Sequence, residues 1–280
     1  MFTFDWASLG HARVTRFTEK DTYDKKWVDD AAGMMTMPLL LSGKLSEQSA
    51  KTDWLDKWKD TFPNTPEAKS SGKTQAPIVE RHELAELTEM MRRQVPNCHC
   101  IEGPLPTLKA MVSGPWFFGY TPYYVASGCE PDMLGTVRYV HSGSAKAVMV
   151  DAAKFRKTMP ETLPAGGADG LKPDATMIDH MLHKFRKLTS EQAAHIKNAG
   201  AVIYQCEITS GEMLIVPPGF LISWAASPDA GFCGARRSFL TSSEQSLTVL
   251  SAIHKEIKSD QLGGIVDLLF LAKSDKTKAT

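Results

Sequence analysis

Apolar positions in the first hundred residues recur at helical spacing, whereas beyond residue 112 they come as short runs bounded by turn residues. Tyr23, Trp27, Ala31 and Met34 fall at i, i+4, i+8 and i+11, the face of one helix, which Pro38 and Gly43 break. Trp54, Leu55, Trp58 and Phe62 share a face of a second predicted helix, residues 46–62. Leu84, Leu87 and Met91 do the same in a third, residues 79–95, which Pro96 ends. Residues 63–73 between them, rich in Pro, Ser, Lys and Gly, read as a flexible loop. The spacing predicts a helical N-terminal region over residues 1–111. It is expected to pack on the rest through Trp27, Trp54 and Trp58, because three short helices bury too little surface to stand alone.

The texture then changes. Trp116-Phe117-Phe118, Tyr123-Tyr124-Val125, Thr136 to Val140, Ala147 to Val150, Ala201 to Tyr204, Met213 to Val216 and Phe220 to Trp224 are β-branched and aromatic runs. Gly, Pro, Ser and Asp bound them, the pattern of a sandwich or barrel rather than of a doubly wound parallel sheet. A helical insertion over about 151–200 interrupts the strands. Within it, Met177 to Leu188 form one helix, Thr189/Ser190 cap a second ahead of Glu191-Gln192, and Gly200 closes it. Residues 243–280 read as helical again. The predicted class is α+β: an antiparallel β-sandwich over 112–242 with N-terminal, inserted and C-terminal helices.

Composition narrows the function classes. Among 280 residues, Lys plus Arg number 32 and Asp plus Glu 32, so no net field draws the chain to nucleic acid or to an acidic membrane. Met1-Phe2-Thr3-Phe4-Asp5 lacks the basic and apolar regions of a signal peptide, and no run nears the roughly 18 apolar residues of a membrane span. The five cysteines, an odd and sparse set, read as reduced thiols, and the expectation is a soluble intracellular protein. No Gly-x-Ser-x-Gly elbow, phosphate loop, dinucleotide fingerprint or His-Glu-x-x-His helix occurs.

The informative stretch is Gly211-Glu212-Met213-Leu214-Ile215-Val216-Pro217-Pro218-Gly219-Phe220: a turn, a buried strand, a Pro-Pro-Gly reversal and a further strand. It resembles the second conserved box of the cupin superfamily, and of its JmjC-like branch in particular. Upstream, residues 128–146, from Gly128-Cys129-Glu130 through His141-Ser142-Gly143 to Lys146, are similar to the first JmjC box. Arg236-Arg237-Ser238-Phe239-Leu240 stands where that family has a later strand. The resemblance covers residues 112–242 and implies a double-stranded β-helix.

It also implies Fe(II) held by two His and one carboxylate, with 2-oxoglutarate as cosubstrate, and here the sequence departs from the family. Glu130 matches the carboxylate, and Lys146 the base that pairs with 2-oxoglutarate or another anion. Gly128 stands at the first His position, and Leu221 or Ile222 at the second, depending on a one-residue alignment choice. No imidazole remains at either position. His141 is the substitute ligand of first resort; Cys129 is adjacent to Glu130, and the ordinary reading of His141 is a strand-end residue. Without a cation, Glu130 is expected to pair with Lys146 or to turn toward solvent.

Weaker signals carry ordinary readings. His180 and His183, with Asp179 beside them, have a spacing that suits a metal but suits a solvated helix face as well. Cys98-His99-Cys100 lacks a second pair at zinc-finger spacing, and the aromatic tract 116–125 reads as sheet wall before pocket mouth. Of Arg236 and Arg237, neighbours on a strand, at most one faces inward to clamp an anion. Three functions follow. The first is a catalytically degenerate JmjC/cupin-like module without cofactor, binding a protein or a small anionic ligand. The second is an Fe(II)/2-oxoglutarate-dependent oxygenase with unconventional ligands. The third is a structural or mobile-element-encoded protein that uses the barrel as scaffold.

Overall fold

The computed structural model describes residues 12–17, 37–42, 116–120, 128–129, 135–159, 175–186, 188–226, 232–239, 244–257, 263–264, 266–267 and 270. The helices predicted around Trp27, Trp54 and Trp58, the loop 63–73 and the strand 123–125 lie outside these residues. What is described is mixed α+β with antiparallel sheets, as the patterning predicts at that level.

One strand organises both sheets. The runs 136–140 and 147–150, expected as two strands about a Gly/Ser turn, form a single 17-residue strand β6, Gly135–Asp151. Its first half lies between β8 (Met213–Val216) and β10 (Phe232–Phe239), and its second half between β7 (Ile203–Thr209) and β9 (Phe220–Ala226). With ladder partners in β10 for Ser142 and Gly143 and in β7 for Ser144, the backbone of Ser142-Gly143-Ser144 is drawn into strand although it reads locally as a turn. The register slips at the changeover. Val140 faces Gly234 and Ser142 faces Cys233, so His141 is the extra residue of a bulge, the device that bends a strand.

The first sheet runs β1–β7–β6–β9–β5, where β1 is Ala12–Arg13 and β5 is Gly128–Cys129. The second runs β2–β3–β8–β6–β10–β4, where β2 is Thr15–Phe17, β3 is Leu39–Leu41 and β4 is Trp116–Tyr120. The described parts of the region predicted as helical are therefore strands. Segments of two or three residues carry no periodicity, and the open edges of β7 and β3 are what hold them, in parallel pairing. Among the described strands β1, β5, β2 and β4 each pair on one side only, so the described sheets are open and do not close into a barrel.

Two cores result. Between the sheets, Leu40, Val140, Leu214 and Val216 meet Ala145, Ala147, Met149, Ile208, Phe220 and Ile222. The other face of the first sheet is covered by α1 (Ala152–Lys157), α2 (Met177–Arg186), α3 (Ser190–Asn198) and α4 (Glu244–Ile257). On α2, Ile178, Met181, Leu182 and Phe185 follow the i, i+3, i+4, i+7 stripe of a core-facing helix, and Phe185 meets Phe155 of α1 edge-on at 5.6 Å. Thr189 and Gln192 form the expected capping box at the start of α3.

The β8–β9 corner joins the layers. Pro217 and Pro218 end the ladder, and the Gly219 carbonyl accepts from the Ala152 N–H at 2.9 Å. Gly219 has φ +87°, and a Cβ there would meet Ile253 and Val249 of α4. Met213, Ile215 and Val216 are buried, as the pattern predicts. Among the described residues no helix is long and apolar enough to cross a membrane.

Candidate functional site

Alternation along the strands assigns side chains to the interior between the sheets or to the helix layer. On β9, Phe220 and Ile222 enter the inter-sheet cluster, while Leu221 joins the helix-side core. On β6, Ala145, Ala147 and Met149 face the interior, and Val148 and Val150 the helices. Lys146 has the parity of Val148. It is exposed on the helix side of the sheet, directly across from Glu207 of β7 and away from the inter-sheet interior. Glu130, its expected partner, lies outside the described residues.

The positions that the resemblance gives to imidazoles do not fit Fe(II). Gly128 pairs with Trp224 across β5–β9, two residues along from Ile222, so positions 128 and 222 lie on the same side of the sheet. Glycine has no donor, and Ile222, 1% exposed, is packed among alkyl and aromatic neighbours. Of Leu221 and Ile222, Ile222 faces the interior between the sheets and Leu221 the helices. His141 is the bulge residue at which β6 passes between the sheets, and Cys129 pairs with Ser223. Among the described residues no three His, Cys, Asp or Glu side chains gather at one point.

In the α2 histidine cluster, Asp179 has a structural role. The Asp179 carboxylate accepts from the Thr176 hydroxyl at 2.7 Å and from its backbone N–H at 2.8 Å. These bonds, the hydroxyl's first, hold the carboxyl below its usual range and cap the helix. His180 is buried, and His183 is half-buried with partners of its own. Cys98, His99 and Cys100 lie outside the described residues.

Polar chemistry sits instead on the interior face of the second sheet. Arg138 is directly opposite Leu214 on one side and Arg236 on the other, and Thr136 is opposite Val216 and Ser238. Leu214 and Val216 belong to the inter-sheet cluster, so Arg138 and Thr136 share that face, at 3% and 1% exposure. Among the described residues the Thr136 hydroxyl has no hydrogen-bond partner. Of the Arg236-Arg237 pair, register assigns position 236 to this face. Sequence reasoning passed over Arg138, yet a signal was present. Thr136-x-Arg138 and Arg236-x-Ser238 are mirror images, which is how an antiparallel pair aligns like residues.

A second polar group pins the N-terminal strand. Glu212, buried after the Gly211 turn, accepts from Arg16 of β2 through Oε1, and from the Thr209 N–H and hydroxyl through Oε2 at 2.8 and 3.0 Å. Nearby, burial pushes the Cys206 thiol up to about 12; the Glu212 carboxylate adds to the rise and Arg16 opposes it. Together these side chains make a polar corner beside the inter-sheet core, with Cys206 half-buried. The chain matches no protein-family model and no curated protein.

Proposed function

We propose that this chain is a catalytically degenerate JmjC/cupin-like protein, a double-stranded β-helix that lacks an iron centre and serves as a binding module. Strand connectivity supports the fold reading. From β4 to β10 the segments fall in the second, first, second, first, first, second, first and second sheets, with β6 counted as two. Eight segments in two stacked sheets are the jelly-roll arrangement in which cupins are grouped. The helices α1 to α3 leave the stack between β6 and β7, where the resemblance has its insertion.

The observation that carries the functional reading is Ile222. An iron ligand there would need a nitrogen lone pair aimed into an open coordination space. An alkyl side chain, 1% exposed, fills that space against Met149 and Phe220 instead. Such an interior holds ligands by shape and charge and does not activate oxygen.

The test is metal and turnover analysis of the purified chain. We expect less than stoichiometric Fe(II) after anaerobic loading and no consumption of 2-oxoglutarate above the metal-only background. One Fe(II) per chain with 2-oxoglutarate turnover, both lost in Glu130→Ala, would overturn the proposal in favour of the oxygenase.

A further inference from the structure

We propose that residues 12–17 are a displaceable strap, which bridges the two sheets along one side and lifts as a unit to open the interior there. It goes beyond the binding-module reading and holds with or without a ligand inside.

The path of the segment is the first support. Ala12–Arg13 (β1) lies along β7 at the edge of the first sheet, and Thr15–Phe17 (β2) along β3 at the edge of the second. Val14 spans the step between them, 8% exposed and packed in the inter-sheet cluster. Its N–H donates to the Gln205 carbonyl at 3.2 Å, the long end of the usual range. One residue further along the β1–β7 register, Val14 comes beside Cys206. Arg16 and Glu212 also stand close enough to that thiol for their charges to act on it in opposite senses. The strap thus covers the interior where Tyr204 and Cys206 of β7 line it.

The weakness of its attachment is the second support. Its ladders are two and three residue pairs long and parallel, the less stable pairing per residue. Among its described side chains Val14 is the one buried apolar group. Arg16, with half its side chain exposed, pairs with buried Glu212. Solvent and salt reach such a pair, so its hold weakens as ionic strength rises. The strands beneath do not depend on the strap, because β7 keeps its ladder to β6 and β3 its ladder to β8. Segments with few buried contacts and exposed backbone bonds open at less than the global unfolding free energy.

Cys206 serves as the reporter of opening. The full chain is alkylated with iodoacetamide at pH 8, in increasing urea below the unfolding transition, and Cys206 modification is followed by peptide mass spectrometry. Each rate is divided by that of a synthetic peptide spanning residues 201–211 in the same buffer. We expect a slow native rate nearly independent of urea, because opening six residues exposes little surface. Raising sodium chloride should increase it. Arg16→Gln should increase it about tenfold, the scale of one lost hydrogen bond to a charged group, and remove the salt response. Loss of the Arg16 charge by itself pushes the thiol further up and slows the reaction, so acceleration reports opening. A native rate that climbs with urea along the slope of global unfolding, or that does not rise in Arg16→Gln, would overturn the strap. The urea slope is read on the wild type alone, so it decides even where the variant does not fold.

Discussion

Replacing Gly219 by alanine tests how the C-terminal helix is held to the sheets. Gly219 sits at φ +87° in the Pro-Pro-Gly corner, a conformation that costs an L-residue about 1–2 kcal/mol. A Cβ there would stand 2.6 Å from Ile253 Cδ1 and 2.7 Å from Val249 Cγ1, both on α4. Ile253 is 1% exposed and packed in the helix-side core, so overpacking adds about 1–3 kcal/mol. Lower entropy of the unfolded chain returns about 0.4–1 kcal/mol. The expected net loss is about 2–4 kcal/mol.

Gly200 supplies the control. It has φ +80°, and a Cβ there would meet nothing within 4 Å. Gly200→Ala therefore carries the backbone cost without the clash, and should lose only about 0.5–1 kcal/mol after the same entropic return. Equilibrium urea unfolding of both variants, with m-values compared to exclude changes in the unfolded state, isolates the α4 contact as their difference. Equal losses in the two variants would refute close packing of the corner against α4.

Two further outcomes follow from the Glu212 corner. Arg16→Gln should destabilise by about 1–3 kcal/mol, because it leaves a buried carboxylate oxygen short of its donor, and a double-mutant cycle with Glu212→Gln should recover most of that as coupling; additive losses would refute it. Cys206, whose thiol is pushed from 9.0 to about 12, should resist alkylation at pH 8 in the native state and react once urea unfolds the chain. The raised value also sets a sign. The protonated thiol's contribution to stability is complete below pH 9 and is lost as pH rises toward 12, which urea midpoints between those limits would follow. Native labelling of Cys206 at the unfolded rate, mapped by peptide mass spectrometry, would contradict the raised thiol.

What the sequence by itself determined is local. The stripe on α2, the Thr189–Gln192 capping box, Gly200 at the end of α3 and the buried run Met213–Val216 depend on neighbours within a few residues, and they stand as patterning predicts. The tertiary structure decided the rest, because a strand's ladder partners and facing side come from other segments. Ser142-Gly143-Ser144 reads as a turn until β7 and β10 supply its hydrogen bonds. Ala12–Arg13 and Thr15–Phe17 have no period to read and become strands only along the edges of β7 and β3. A shift of one residue in register reverses every side chain in a strand. Parity against the assembled sheets therefore turned Ile222 inward, Leu221 toward the helices and Lys146 to the outer face. The same parity brought Arg138 into the interior opposite Arg236, a pairing across almost a hundred intervening residues that no local pattern encodes.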